Sequence, residues 1–358
     1  MSIAATSFAW RALPKVLLHE HLDGGLRPQT LLDLCRERGL ATPANDATTL
    51  AAWVQANANS GSLGRYLAGF KLTVEAMASL PACERVAFEA AEDALSDGCV
   101  LAEFRIAPLL LEPFGLHAEA VVEALLSGLQ RSALPCGLIV CAMRHEPPVH
   151  TLRAARLAAR HAGRGVVGFD LAGAEAGHPP GDHAAAFAAA RDAGLGLTCH
   201  AGEADIGARV LEAAALGATR IGHGIHIVDD AANLERARQL GLHFEVCPSS
   251  NVHTGAAASL AAHPLRRMLD AGLSVSLSTD NRLMSGVTLS DELRIAHHVL
   301  GLDLPTLQAL NRAAAAASFL PATARVAALA ALDQGLSGTA PAATTTRSPG
   351  TGTAARWR

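Results

Sequence analysis

Val16-Leu17-Leu18-His19-Glu20-His21-Leu22-Asp23-Gly24 is an apolar run that breaks into His-x-His and then into a Leu-Asp-Gly turn. On an extended strand, residues i and i+2 face the same side, so His19 and His21 converge on one point. Two convergent imidazoles are what a metal ion needs and what an apolar core does not. The pattern is short, so its meaning depends on further ligands at equivalent places along the chain.

Working outward, residues 15–21 are the first of eight apolar runs of strand length. The others are 99–107, 137–143, 165–171, 195–200, 219–223, 242–246 and 273–278. Most are near-continuously hydrophobic, as parallel strands covered on both faces are. Between them lie Ala/Leu-rich stretches of helical composition, such as 182–193, 208–216, 230–240 and 265–271, each followed at once by Gly, a helix stop signal. Eight strand-then-helix units predict an α/β fold, a (β/α)8 barrel whose active site sits at the C-terminal ends of the strands. Residues 22–98 interrupt the rhythm with mainly helical text around Asn57-Ala58-Asn59-Ser60-Gly61-Ser62, and an insertion at that end of a barrel reads as a lid or pocket wall. The barrel is expected to be one domain over residues 1–335. Residues 336–358, rich in Ser, Thr, Pro, Gly and Ala, read as a disordered tail.

Bulk properties narrow the partners. With 29 Lys and Arg against 33 Asp and Glu, the net charge is −4, which argues against a nucleic-acid partner. No stretch approaches the ~18 uninterrupted apolar residues of a membrane span. The N-terminus lacks the basic-then-apolar pattern of a signal peptide. Seven cysteines occur without a Cys-x-x-Cys pair, so a thiolate metal site is not supported. The chain reads as a reduced, cytoplasmic protein, and its composition is silent on oligomeric state.

Polar residues gather where the barrel would place catalysis. The first strand ends in His19-Glu20-His21-Leu22-Asp23, the fifth in His200-Ala201-Gly202-Glu203, the sixth in Gly222-His223-Gly224, and the eighth in Ser278-Thr279-Asp280-Asn281. Three imidazoles and a carboxylate (His19, His21, His200 and Asp280) suit a borderline divalent ion, Zn²⁺ first. Such an ion, with solvent as a fifth ligand, lowers the pKa of water from about 15.7 towards about 7. Glu203 and His223 then stand as an acid/base pair suited to hydrolytic attack on a polarised C=N or C=O centre. Many barrel hydrolases with His-x-His hold two metals bridged by a carbamylated lysine, usually on the fourth strand. The only lysines here are Lys15 and Lys71, so one metal per chain is expected.

With these motifs in order, the chain resembles the adenosine deaminase family of the amidohydrolase superfamily over residues 13–320. The resemblance also runs through Gly168-Phe169-Asp170-Leu171-Ala172-Gly173-Ala174-Glu175 and Glu245-Val246-Cys247-Pro248-Ser249-Ser250-Asn251. It implies a one-zinc (β/α)8 barrel that converts adenosine, and 2′-deoxyadenosine, to inosine and ammonia. By it, His19, His21, His200 and Asp280 bind zinc. Glu203 gives a proton to purine N1, and His223 orients the water and takes its proton during attack on C6. Asp280 also accepts a hydrogen bond from the attacking oxygen. His21, Asp23, Gly173 and Asn281 contact substrate, with Asp23 at the ribose 5′-hydroxyl and the Gly173 N–H near N3. Many members carry a second Asp where this chain has Asn281. An Asn amide donates a hydrogen bond to N7 without needing a raised pKa. The same chemistry admits related substrates: adenine, an N6-substituted adenosine nucleotide or 6-amino-6-deoxyfutalosine. A non-catalytic nucleoside binder would have no use for the complete proton-transfer set.

Blander readings attach to other residues. Glu103 and Arg105 alternate on the second strand and suggest a barrel-interior ion pair. Asp170 suggests support of the site from behind, and Glu175 and His178 could edge the pocket. His226, His243, His253 and His263 have no convergent partner in the text and read as structural. Ser249 and Ser250 lack a general base. Trp53, Tyr66 and Phe70 in the insertion read as core packing.

Overall fold

The structure, a computed structural model, describes residues 9–337. Its last helix, Ala322–Ser337, overruns the expected barrel boundary by two residues, and the rest of the expected tail lies outside the described residues. Among those residues, eight strands form one parallel sheet in sequential order. They are β1 (Lys15–His21), β2 (Cys99–Ile106), β3 (Cys136–Met143), β4 (Val166–Ala172), β5 (Gly196–Ala201), β6 (Arg220–His223), β7 (His243–Val246) and β8 (Ser274–Leu277). Each matches an expected run to within one residue at either end. The apolar text made these runs legible because their side chains are almost all buried, inward against the barrel or outward against the helices.

The barrel closes through a residue of the site. β8 is short, and the link back to β1 is an isolated parallel bridge between Glu20 and Asp280. The His21 N–H donates to the Asp280 carbonyl at 2.8 Å, and the Asp280 N–H donates to the His19 carbonyl at 2.9 Å. Backbone pairing therefore sets the spacing of the two histidines and the aspartate before any side chain acts.

Inside the barrel lies a buried ionic lattice. Arg220 reaches Glu103 and Glu245, each at 2.5 Å, while Arg105 reaches Glu245 at 2.6 Å and Asp170 at 3.0 Å. Glu103 and Arg105 are thus interior ions, as expected, but each pairs across the barrel. Alternate residues on one strand point the same way at different depths and meet different strands. Such a lattice is costly to desolvate and is held by its completeness, every charge having a partner.

Residues 22–98 are helical as expected, with Pro28–Arg38, Ala47–Ala58, Leu63–Ala68, Phe70–Ala76 and Leu80–Ser96. No described helix is long and apolar enough to cross a membrane. Lys15 opens β1 at its N-terminal end, where Nζ donates to the Asp97 carbonyl, so it is remote from a bridging position.

Candidate metal centre and active site

His19, His21, His200 and Asp280 meet at the C-terminal mouth. His21 Nε2 lies 3.2 Å from His200 Nε2 and 3.5 Å from Asp280 Oδ1, and His19 Nε2 lies 3.3 Å from the same Oδ1. Donor atoms about 2.0–2.1 Å from a shared zinc stand roughly 3–3.5 Å apart. His19 Nε2 is also buried without a hydrogen-bond partner, an orphaned lone pair that a cation would satisfy. The residues present therefore fit a divalent metal. His223 joins His19, His200 and Asp280 in a group whose donor atoms lie within 4.8 Å of one another.

Carboxylates orient the ligands from behind. His19 Nδ1 is 2.9 Å from Glu245 Oε2, and His200 Nδ1 is 3.1 Å from Asp170 Oδ1. Arg105 ties these two carboxylates together. Both are held well below the usual carboxylate range: burial alone would raise them, but the arginine and the imidazoles prevail. As ionised acceptors they fix the imidazole proton on Nδ1 and aim the Nε2 lone pairs at the centre. Burial pushes His200 down and His21 well down, which favours the neutral form that a metal would require of them. Asp170 was foreseeable as support. Glu245 was visible only as the first letter of a motif, since its partner on β1 is 226 residues away.

Two residues here carry backbone strain. Among the described residues, His223 (φ 60°) and Asp280 (φ 58°) are the non-glycines in the left-handed region. Each such conformation costs on the order of 1–3 kcal/mol and persists only where surrounding structure imposes it. Ser250 Oγ donates to Asp280 Oδ2 at 2.5 Å, so the serine that lacked a base serves to hold the aspartate. Burial resists ionisation of Asp280, yet the His19 hydrogen bond and nearby imidazoles hold it well below its ordinary value. Gly222 passes so close to His19 that a Cβ there would come within 2.9 Å of the ring.

Glu203 is 4 % exposed, accepts from Thr254 Oγ at 3.1 Å, and has Oε2 3.7 Å from His223 Nε2. Burial, then the negative charges of Asp280 and Glu175, push its carboxyl well above the usual range, which favours the protonated form. Glu175 does not line the cavity as expected; it lies beneath it and accepts the backbone N–H groups of Gly202, Glu203 and Ala204 at 2.6, 3.0 and 2.7 Å. Arg144, which was not foreseen, donates to the carbonyls of His200 and Leu171.

The centre opens into a cavity of about 620 Å³ that Asp23, Gly173 and Asn281 also line. Asp23 Oδ1 and Asn281 Oδ1 are buried without partners, and burial raises Asp23 to about 7. Asn281 Oδ1 packs against Gly24, where a Cβ would approach it to 1.9 Å, so only glycine fits there. Tyr66 and Phe70 pack with the core, as expected, and also wall the cavity with Leu63, Leu67 and Val74, because the insertion helices bring an apolar face to the mouth. Trp53 is 40 % exposed and takes no part. Among the described residues, Lys71 is the one lysine or arginine on the cavity wall, and His178 does not line it. His226, beside Asp229, and His243, between Ser274 and Ser276, have local partners. His263 does not stand apart, since it reaches the site through Asn251.

Comparison with known proteins gives the same reading. An adenosine deaminase family model matches residues 14–334. An adenosine deaminase of Mycobacteroides abscessus is 44 % identical over 88 % of this chain and 92 % of its own length. One of Mycobacterium tuberculosis is 42 % identical over 91 % and 95 %. The crystal structure of an adenine deaminase from Arthrobacter aurescens superposes with a TM-score of 0.81 at 25 % identity, covering 91 % of this chain and 99 % of that one. The match spans the barrel, the insertion and every segment that meets at the mouth, and the chain belongs to the adenosine deaminase family.

Proposed function

We propose that this protein hydrolytically deaminates adenosine and 2′-deoxyadenosine to inosine, or 2′-deoxyinosine, and ammonia. The observation that carries the reading is Glu203: a buried carboxyl, pushed well above its usual range, beside a cluster of metal-competent lone pairs on the wall of a purine-sized cavity. His19, His21, His200 and Asp280 would hold one divalent ion, zinc first on donor chemistry. When bound, that ion supplies Lewis acidity, bringing the pKa of water towards about 7.

The chain's residues supply the rest. Glu203 gives its proton to purine N1, which draws electrons from C6 and makes it electrophilic. Asp280, ionised, accepts a hydrogen bond from the attacking water, and His223 orients that water from the other side. Gly173 offers its N–H to N3. Asn281, with Oδ1 turned to Gly24, offers its amide N–H to N7. Asp23 meets the ribose 5′-hydroxyl, and His21 borders the sugar. The cavity wall suits an uncharged nucleoside: among the described residues it is largely apolar and holds a single lysine. We place the protein in the cytoplasm, acting on small molecules.

A substrate panel of adenosine, 2′-deoxyadenosine, adenine and AMP, read by ammonia release with metal measured on the same sample, tests the proposal. Adenosine and its deoxy analogue should turn over fastest, with about one metal per chain. Turnover of adenine or AMP but not adenosine would overturn the substrate assignment.

A further inference from the structure

Behind His223 runs a line of buried hydrogen bonds whose direction can be read from one end. It starts at the backbone N–H of Leu265, which can only donate, 3.1 Å from His263 Nδ1. An imidazole that accepts at Nδ1 carries its proton at Nε2. His263 is 5 % exposed and burial pushes it down to about 4, so it is neutral. Its Nε2–H lies 3.1 Å from Asn251 Oδ1 and donates there. That contact sets the orientation of the Asn251 amide, leaving its Nδ2–H to donate to His223 Nδ1 at 3.0 Å. Asn251 is fully buried and His223 is 1 % exposed, so water does not compete. His223 accepts at Nδ1, and its ring proton sits on Nε2, the nitrogen facing Glu203 and the centre.

The contrast with the neighbouring rings is chemical. His19 and His200 face carboxylates through Nδ1 and turn lone pairs inward. His223 faces an amide donor through Nδ1 and turns an N–H inward. A ring with its proton on Nε2 cannot ligate a metal through that atom, which separates His223 from the group it adjoins.

We propose that Asn251 and His263 are positioning residues that hold His223 in the Nε2–H tautomer, making it a hydrogen-bond donor to the attacking oxygen rather than its base. The inference rests on the deamination reading for its consequence but not for the tautomer. In the step, a water O–H bond breaks and its proton passes to the Asp280 carboxylate. The oxygen pair forms the bond to C6, and the C6=N1 π pair moves to N1, which takes the Glu203 proton. The His223 proton stays where it is and stabilises the charge growing on oxygen.

Imidazole ¹⁵N spectra of the zinc-loaded, His-labelled protein test this, with His223→Asn assigning the resonance. His223 should show a protonated Nε2 and an unprotonated, hydrogen-bonded Nδ1. In Asn251→Asp the carboxylate should draw the proton to Nδ1, and kcat should fall about 10²–10³-fold, with KM for adenosine within about threefold. A wild-type His223 with its proton on Nδ1 overturns the proposal even if no variant folds. So does an Asn251→Asp enzyme that has switched tautomer yet keeps its kcat. Failure of the wild type to deaminate adenosine would instead refute the proposed function, leaving the tautomer to be read independently.

Discussion

The Glu175 carboxylate accepts the backbone N–H of Glu203 at 3.0 Å, and with the same two oxygens it also holds Gly202 and Ala204. One buried acid thereby shapes the turn that presents another. Glu175→Gln replaces a two-oxygen acceptor with a single carbonyl and leaves buried N–H groups unmatched, at about 1–3 kcal/mol for each unmatched group. The variant should melt earlier and turn over roughly 10–100-fold slower, since small displacements of a positioned acid are expensive. Its metal content should be unchanged, because Glu175 touches no ligand side chain; thermal melts, kinetics and metal analysis on one preparation check this.

Removing the Glu203 proton itself is the sharper test of chemistry. Glu203→Gln keeps the shape and the Thr254 contact but cannot protonate N1. The expected loss in kcat is about 10²–10⁴-fold, with near-normal binding of inosine measured by calorimetry. Activity within tenfold of wild type would reassign the acid.

Asn281→Ala should lower kcat/KM for adenosine about 3–10-fold, the worth of one neutral hydrogen bond. The same variant should lose nothing further on 7-deazaadenosine, which lacks the acceptor. Equal losses on both nucleosides would place Asn281 in packing against Gly24 rather than in recognition of N7.

Metal removal should uncover the orphaned His19 Nε2 and the facing Asp280. Chelated protein is expected to lose activity and several degrees of Tm, and to regain both on addition of about one equivalent of zinc per chain. Full activity without divalent metal would overturn the centre.

His243 provides a pH test away from that chemistry. Burial, then the neighbouring Arg220 charge, push it down to about 3, against 6.5 for an ordinary histidine. The native state therefore binds fewer protons than the unfolded chain between those values. Its contribution is complete above about pH 6.5 and drains away as pH falls towards 3. His243→Asn should flatten the acid limb of a stability-against-pH curve measured by urea unfolding between pH 7 and 5. An unchanged slope would show that other groups carry that limb.

Much of this protein was written in its order of residues. Eight apolar runs marked the strands because burial on both faces leaves no room for alternation, and the polar clusters at their ends marked the mouth. His19, His21, His200, Glu203, His223 and Asp280 were legible because each sits within three residues of a strand's C-terminal end, where chain position and spatial position nearly coincide. The partners of those residues were not. Glu245 behind His19, Glu175 beneath Glu203, Ser250 on Asp280 and the Asn251–His263 line behind His223 look like ordinary loop and strand residues in the text. Their meaning depends on pairing between segments up to 226 residues apart.

The sequence alone determined the barrel and the reaction class, since periodicity and motif chemistry are local properties of the chain. Only the tertiary structure decided which carboxylate or amide faces which imidazole, and through which ring nitrogen. A histidine's tautomer is set by the group opposite its Nδ1, and for His19, His200 and His223 that group arrives from another strand or loop.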